Sequence, residues 1–269
     1  LLYLSASEIA SITQKLLDNW LELADEKMRT TVVERLAKEF VKEYKERTSA
    51  PDIALFGRML AEKPELNLDA ACQIAHALST HRVAMEMDFY TAVDDLNPDD
   101  TAGAGMMGFT GYNSACFYRY ARLDWEQLVK NLGGDQELAE RTVEGFLRAT
   151  VEAVPSGKQN SFAAQNPPSF LLAVVRNGGA GWSLANAFER PVRATRDGGL
   201  VVPSVGALDR YWGRLAAVYG NESVERVAAL VLDDDVNLTE LKSTQVANLN
   251  EWIGAVTQTI QTRQKEMQA

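Results

Sequence analysis

Cysteine and histidine are scarce in this sequence, which contains two of each among 269 residues. Cys72 and Cys116 do not follow the spacing of a zinc site, and two isolated cysteines favour free thiols over a disulfide. Free thiols are typical of a reducing compartment, so the cysteine usage predicts a cytoplasmic protein. No apolar run approaches the length of a membrane span, so no membrane partner is expected.

The motifs of common enzyme classes are also missing. His76 and His81 lie five residues apart, which does not place them on one helix face, and neither belongs to an H-E-x-x-H pattern. The sequence has no G-x-S-x-G element, P-loop or dinucleotide fingerprint. We therefore predict no catalytic residue, no metal site and no cofactor, and we interpret both histidines as hydrogen-bonded structural residues.

Basic residues are outnumbered, with 27 Lys and Arg against 37 Asp and Glu and a net charge of −10. Because phosphate binding depends on Lys and Arg, the total charge argues against a nucleic-acid partner. The distribution is uneven, however. Residues 84–114 hold six acidic and no basic side chains, whereas residues 115–222 hold 12 basic and 11 acidic ones. The nearly neutral middle of the chain can therefore carry a local basic surface.

Helical periodicity is clear in the first fifty residues. Ser5 and Glu8 form a capping-box pattern. The apolar residues that follow recur at helical spacing: Ile9, Ile12, Leu16, Trp20 and Leu23. A second helix is predicted to bury one face formed by Val33, Leu36, Phe40 and Tyr44, opposite a face of mixed charges.

Later segments alternate between helical and strand patterns. Helices are predicted at residues 68–79, 125–131, 137–154 and 204–220, and near the C-terminus, where apolar residues recur from Val246 to Ile260. Residues 170–175 and 226–232 are short, apolar and partly β-branched, which predicts buried strands. Helices first, then a hairpin, then mixed helices and strands predict an α+β fold.

The segment from Asp88 to Ala121 joins two aromatic-rich, strand-like runs through a long, acidic and glycine-rich loop. A hairpin that only reverses the chain needs about two to five loop residues. The greater length of this loop predicts that the hairpin extends away from the domain toward a partner. Acidic clusters at 94–95, 99–100 and 233–235 have the oxygen ligands that divalent cations prefer. Neighbouring aspartates of a loop point in different directions, which favours a solubilising role instead.

Two short segments are suited to nucleic-acid contacts. Lys158, Gln159 and Asn160 follow a predicted helix and form a compact set of polar donors for phosphate and sugar. Spacing alone favours an ordinary polar loop. Arg58 and Met59 follow a glycine, and spacing alone favours a core methionine at 59.

A set of motifs in fixed order carries a family resemblance. The motifs are "DIALFGRML", "AHALSTHRV", "DFYTAVDDL", "FYRYARLD", "NLGG", "VPSGKQNSFAAQNP", "SLANAFERPV" and "VPSVGALDRYW". Together they resemble the CasC-type backbone subunit of the type I-E CRISPR Cascade complex, most strongly over residues 50–220.

The resemblance implies an RRM-like (ferredoxin-like) palm with inserted helical fingers and a long β-hairpin thumb. Residues 1–75 are assigned to the fingers, residues 76–83 and 115–269 to the palm, and residues 84–114 to the thumb. The implied protein is not an enzyme. It polymerises along crRNA and presents this guide for pairing with target DNA in antiviral defence. The implied partners are crRNA, target DNA, other copies of the chain and other Cascade subunits.

The predicted RNA-binding residues are Arg58, Met59, Phe89, Tyr90, Thr91, Val93, Lys158, Gln159 and Asn160. The resemblance implies that Met59 packs against displaced bases and that residues 89–93 contact the guide from the thumb. It also implies that Lys158 and Gln159 lie near the guide backbone.

Two departures from the family pattern generate further expectations. The family's first palm strand and its basic N-terminal helix have no counterpart here, which predicts either that the chain is a fragment or that its N-terminal part is encoded separately. The thumb tip reads Met106-Met107-Gly108, where the family often has a histidine followed by an aliphatic residue. A rival hypothesis is a metal-dependent RNA nuclease that uses the thumb aspartates, because related subunits of another CRISPR class cut RNA with a loop aspartate.

Overall fold

The structure, a computed structural model, describes residues 3–45, 47–91, 107–196 and 199–268. Its helices are α1 (Ala6–Asp18), α2 (Trp20–Ala24), α3 (Glu26–Tyr44), α4 (Pro51–Phe56), α5 (Trp125–Asn131), α6 (Gln136–Glu152), α7 (Gln159–Phe162), α8 (Val201–Tyr219) and α9 (Leu249–Gln268). Its strands are β1 (Cys72–Ile74), β2 (Leu78–Ser79), β3 (Glu86–Thr91), β4 (Met107–Tyr112), β5 (Phe117–Tyr118), β6 (Ala121–Leu123), β7 (Phe170–Arg176) and β8 (Val224–Val231). The predicted α+β class is confirmed.

The N-terminal helices begin as predicted but bury a different face. The capping box is confirmed, because the Glu8 backbone N–H donates to Ser5 Oγ and the Ser5 N–H donates to Glu8 Oε2. The chain turns at Asn19, between α1 and α2. Ile9 is 52% exposed and Trp20 is 64% exposed, so the predicted apolar face of α1 is largely open to solvent.

A similar shift is found in α3, where the residues that enter the core are Val32 and Leu36. Val33, which the pattern assigned to the buried face, is 48% exposed, and that assignment is wrong. Because α3 packs against the thin layer of α1 and α2 rather than against a broad core, a narrow stripe suffices to bury it.

The predicted helix at 68–79 is wrong. This segment forms β1, which pairs antiparallel with β6, and β2, which pairs antiparallel with β5. Cys72 lies opposite Leu123, and Ser79 lies opposite Phe117. The two partner strands come from beyond the hairpin, so a pairing over a long sequence separation overrides the local helical periodicity.

The ribbon of β7 and β8 lies at the centre of the core. Its two antiparallel strands pair from Phe170 opposite Val231 to Val174 opposite Val227. One face packs against α8 through Leu172 and Val174, and the other packs against α9 and α6 through Leu171 and Ala173. Coverage on both faces explains why the sequence of β7 is continuously apolar. The strand forms where it was predicted, but all seven of its residues are half-buried and not fully buried. Within the described residues, no strand pairs with the second edge of β7.

The flanking elements follow the sequence prediction closely. Asp124 caps α5 by accepting from the Gln127 N–H, and Gly133 and Gly134 end this helix with φ of 68° and 90°. Positive φ is a conformation that glycine adopts without steric cost, so the pair terminates the helix at the predicted place. Helices α6, α8 and α9 and strand β8 also form where their patterns predicted them.

The predicted hairpin is confirmed as β3 paired antiparallel with β4, from Glu86 opposite Tyr112 to Thr91 opposite Met107. All six residues of β3 are exposed, so the ribbon has no core beneath it. None of the helices in the described ranges combines the length and apolar character needed to cross a bilayer. The palm, fingers and thumb boundaries stay predictions.

Asp209 provides a test of the core around α8. Its carboxylate is buried and accepts hydrogen bonds from the backbone N–H groups of Thr239, Glu240 and Leu241 at 2.8–3.2 Å. We expect Asp209→Ala to lower the free energy of unfolding by about 2–4 kcal/mol, because three donors lose their acceptor. Urea denaturation measures the change. Asp234→Ala removes the same charge at an exposed position and should leave the midpoint unchanged.

Candidate nucleic-acid interface

Met59 lies on a tight loop whose backbone is closed by hydrogen bonds. Arg58 and Leu68 exchange two backbone hydrogen bonds of 2.9 Å, and the Leu60 N–H donates to Asn67 Oδ1. Gly57 has a φ of 79°, and a Cβ at this position would lie 2.7 Å from the Leu68 carbonyl oxygen. Only glycine fits there, so the chain leaves α4 at a fixed angle. The loop presents Met59 with its side chain 86% exposed.

The Arg58 side chain points in the opposite direction, into the protein. Its Nη1 donates to both carboxylate oxygens of Glu8 at 2.9 and 3.1 Å, and its Nε donates to the Leu66 carbonyl oxygen. The side chains of Arg58 and Glu8 are 1% and 0% exposed. An enclosed guanidinium does not reach an RNA phosphate, so the prediction of Arg58 as an RNA ligand is corrected. Its place in the structure is to hold the Met59 loop against α1.

The β3–β4 hairpin has two chemically different faces. Met87, Phe89 and Phe109 share one face, where the rings of Phe89 and Phe109 lie 5.3 Å apart between centroids. Phe109 is 69% exposed and Phe89 is 51% exposed. The opposite face carries Tyr90 and Tyr112 together with the acidic residues 86 and 88. The ribbon has aromatic side chains on both faces and does not pack on the core. Exposed apolar surface of this kind is typical of an interaction site.

The ring of Tyr90 occupies space on the opposite strand that is free because the residue there is a glycine. It lies opposite Gly108, and its ring covers that residue so closely that a Cβ at Gly108 would collide with it. Gly108 therefore has a packing role that the comparison of the Met106-Met107-Gly108 motif with the family pattern did not suggest. Thr91 lies opposite Met107 at the end of the described ribbon.

Several predicted residues of the hairpin lie outside the described residues. These are Val93, Met106 and the four aspartates Asp94, Asp95, Asp99 and Asp100. The prediction for Val93 and the nuclease hypothesis both depend on this segment, so both stay untested predictions.

Lys158 lies on a loop with unusual backbone geometry. Its φ of 57° and the φ of 45° at Ala163 are the two positive values among non-glycine residues of the described chain. Between them, α7 forms a single turn. Such strained conformations require support from the surroundings and are frequent at functional sites. The Lys158 and Asn160 side chains are exposed, so both are available to a ligand.

Gln159 stabilises this loop from inside. Its Nε2 donates to the Pro155 carbonyl oxygen at 2.7 Å and to the Ala164 carbonyl oxygen at 3.5 Å. Its Oε1 is buried and has no partner in the described chain. The amide donors of Gln159 are thus used within the loop, whereas Lys158 and Asn160 point outward.

The structure brings two of the three predicted clusters together. The rings of Tyr112, at the root of the hairpin, and Phe162, in α7, lie 5.5 Å apart between centroids. The hairpin therefore rises next to the Lys158 loop. The Met59 loop is anchored separately, through α1 and the Arg58–Leu68 bridge.

The histidines behave differently from each other. His81 fits the predicted structural role, because its Nε2 accepts from the Cys116 N–H and its Nδ1 bonds the Arg82 carbonyl oxygen. His76 is exposed instead. In the described chain, no group of three or more His, Cys, Asp or Glu side chains forms a metal-binding cluster. Both cysteines are free thiols, as predicted, and burial raises the pKa of Cys72.

Sequence reasoning missed the exposed apolar side chains around the predicted hairpin residues. Phe109, Met87 and Met85 are 69%, 63% and 60% exposed. The signal was present for Phe109, because an antiparallel register that begins near Asp88 places an aromatic residue of β4 opposite one of β3. It could not be read without knowing where the loop ends and β4 begins.

Comparisons with known proteins point to one kind of assembly. The model of a family described as CT1975-like protein matches residues 1–255. A solved chain from a "CRISPR RNA-guided surveillance complex, pre-nicking" is similar with a TM-score of 0.70 and 29% identity, over 86% of this chain and 64% of that chain. A chain from a "CRISPR RNA-guided surveillance complex" has a TM-score of 0.67 and 33% identity, over 78% of each chain. Curated protein sequences give no match.

The opposite orientations of Arg58 and Met59 predict opposite effects on stability. We expect Arg58→Met to lower the free energy of unfolding by about 3–5 kcal/mol, because it leaves the Glu8 carboxylate buried and unpaired. Met59→Ala should change it by less than about 0.5 kcal/mol, because the side chain is exposed. Chemical denaturation measures both. If the double variant Glu8→Gln with Arg58→Met is no more stable than Arg58→Met alone, the unpaired charge is not the cause.

Proposed function

The chain belongs to the CT1975-like protein family, and on that premise we propose that it is a non-catalytic backbone subunit that binds the guide RNA of a CRISPR surveillance complex. The observation that carries this proposal is that the same chain has a rigidly anchored, exposed Met59 and an exposed aromatic hairpin. Within the described residues, Met59 and the Phe89–Phe109 face of the hairpin are both left open to solvent.

The resemblance to the CasC-type subunit of Cascade that the ordered motifs indicated is confirmed by the family match and by the similar chains. The type I-E subtype stays a prediction. The chain spans 64% of the first similar chain, and the activity and partners of the whole protein are therefore part of the proposal.

Met59 has the properties of a wedge against nucleic-acid bases. An 86% exposed methionine gives little to the stability of the fold, yet its backbone is fixed by Gly57, by the Arg58–Leu68 bridge and by a buried ion pair. A polarizable thioether on a rigid support contacts the π-face of any base without reading its identity. That suits a subunit that binds guides of every sequence.

The hairpin supplies the second part of the proposal. An isolated two-stranded ribbon is only marginally stable in water, so β3 and β4 need a surface to rest on. The Met87–Phe89–Phe109 face offers apolar contact area, and the Tyr90 face offers a ring for stacking. We propose that one face packs on a neighbouring copy of the chain while the other contacts the guide.

The Lys158 loop supplies the phosphate contact. Lys158 is exposed at a strained turn beside the hairpin root, and Asn160 lies two residues further along the chain. A single lysine gives modest affinity, and the net charge of −10 opposes the approach of RNA. Copies arranged along one guide sum such contacts, which gives the assembly an affinity that a single copy lacks. Sequence is then read by pairing between guide and target DNA, not by side chains.

Alanine substitutions at Met59 and Tyr90 test the proposed stacking contacts. We expect each to weaken binding of guide-length RNA by about 5- to 150-fold, the equivalent of about 1–3 kcal/mol for one base–side chain contact. Electrophoretic mobility shifts with labelled RNA give the affinities. Thermal melts of the free variants should overlay the wild-type curve, because both side chains are exposed.

Matched controls separate stacking from loss of apolar surface. Met28→Ala on α3 and Tyr219→Ala on α8 remove the same side-chain types from exposed positions, 46% and 72% accessible, outside the proposed interface. Both should bind RNA like the wild type. Equal losses in these controls would contradict the assignment of Met59 and Tyr90 to the guide.

Lys158→Ala tests the phosphate contact separately. Each phosphate neutralised on a single strand contributes about 0.7 to the slope of log affinity against log salt. We expect the variant to have a slope smaller by about that amount, with weakening that is the same for every RNA sequence. Filter binding over a salt series measures it. Asn160→Ala, which removes no charge, should leave the slope unchanged, and an unchanged slope for Lys158→Ala would remove Lys158 from the proposed interface.

A further inference from the structure

A groove with four arginines lies on the outer side of α8. It is lined by Arg210 and Arg214 from this helix and by Arg190 and Arg193 from the segment before it, with a volume of about 380 Å³. Small and apolar side chains complete its lining: Ala187, Val192, Pro203 and Ala207. In a chain with a net charge of −10, this is a local concentration of positive charge.

The arginines of this groove are almost without counter-charges. Of the four groove arginines, only Arg190 has an ion pair with a described residue. This is a 4.0 Å contact with Glu189 in which both side chains are highly exposed. Arg214 lies over the ring of Tyr211, 5.5 Å from its centroid. The carboxylate next to Arg210 in sequence, Asp209, points into the core and is occupied by three backbone N–H groups. Within the described residues, the groove therefore keeps nearly its full charge for a ligand.

The backbone beneath the arginines is rigid. Leu208 and Trp212 anchor α8 in the core, so Arg210 and Arg214 leave a fixed helix face about one turn apart, or about 6 Å. The Val192 N–H donates to the Thr80 carbonyl oxygen at 2.9 Å, and Ser204 Oγ donates to Thr80 Oγ1 at 2.8 Å. Both walls of the groove are thus tied to Thr80, in the segment that leads into the hairpin.

We propose that this groove binds the phosphodiester backbone of a single-stranded nucleic acid, at a site separate from Met59 and Lys158. Guanidinium groups bind phosphate oxygens through paired N–H donors, and successive arginines along a helix match successive phosphates of an extended strand. The apolar lining residues can pack against the sugars of that strand. Apart from the four arginines, no lining residue has a polar side chain, so we expect the site to bind through phosphates with little sequence preference.

An acidic peptide is the competing ligand, because carboxylates also pair with arginine. Four arginines and four apolar residues line the groove, and none of these side chains can accept a hydrogen bond from a peptide N–H group. A strand with regularly spaced charges and no backbone donors fits this arrangement better than a peptide does.

The test compares two double variants of the full chain. Arg210→Ala with Arg214→Ala removes two groove charges. Arg141→Ala with Arg148→Ala removes two charges from α6, one at an exposed residue and one at a half-buried residue that pairs with Glu144, and serves as the control. The probe is a fluorescent oligothymidylate, titrated over a salt series. We expect the groove variant to lose roughly tenfold in affinity near 0.15 M salt and about 1.4 in salt slope, which corresponds to two phosphates, and the control to match the wild type.

Three outcomes would overturn the proposal. They are an unchanged slope in the groove variant, an equal loss in the control, and binding of an acidic peptide of residues 88–121 with no binding of the oligonucleotide. The result is distinct from the proposed guide contacts, because Met59→Ala and Lys158→Ala leave the groove intact. Loss of oligonucleotide binding in those variants, with retention in the groove variant, would place the strand on the guide surface instead.

Discussion

The buried ion pair of Arg58 and Glu8 is the constraint on which the candidate interface depends. It joins two residues 50 positions apart, and Glu8 also completes the capping box that starts α1. Removing two charges from water is costly unless both find partners, so the pair forms only when α1 and the 58–68 loop have docked. The same contact that secures the helices therefore orients Met59 outward. The buried Arg58–Glu8 pair, which does not contact a ligand itself, therefore fixes the position of the exposed Met59 side chain.

Two surfaces lack partners among the residues that the structure describes. The hairpin exposes Phe89 and Phe109 on one face, and the groove on α8 exposes arginines with few counter-charges. Each arrangement is unfavourable for a protein that works alone, because exposed aromatic area and uncompensated charge both favour association. For the proposed subunit between copies of itself and nucleic acid, these are the proposed contact surfaces. Their separation explains how an acidic chain keeps basic sites.

Much of the fold could be predicted because its signals are local. The capping box, the Gly133-Gly134 terminus, the helical stripe of α6 and the continuous apolar run of β7 each depend on residues within a few positions of one another. The first hairpin strand was predictable for the same reason, since aromatic residues that precede a glycine-rich loop are a local pattern, whereas the start of β4 was not. Family motifs added Met59, Tyr90 and Lys158 as candidates without indicating which would be accessible.

Contacts over long sequence separations decided the rest. Residues 68–79 carry a helical pattern, yet they became β1 and β2 because their partner strands lie beyond the hairpin. Arg58 and Met59 are adjacent in the sequence, and only the docking of Glu8 buries one and exposes the other. The arginines at 190–214 are scattered in the sequence and become one groove when α8 packs beside the preceding segment. The sequence by itself determined the elements whose signals are local. The tertiary structure determined the long-range strand pairings and which side chains face a partner, because burial depends on what the rest of the chain brings near.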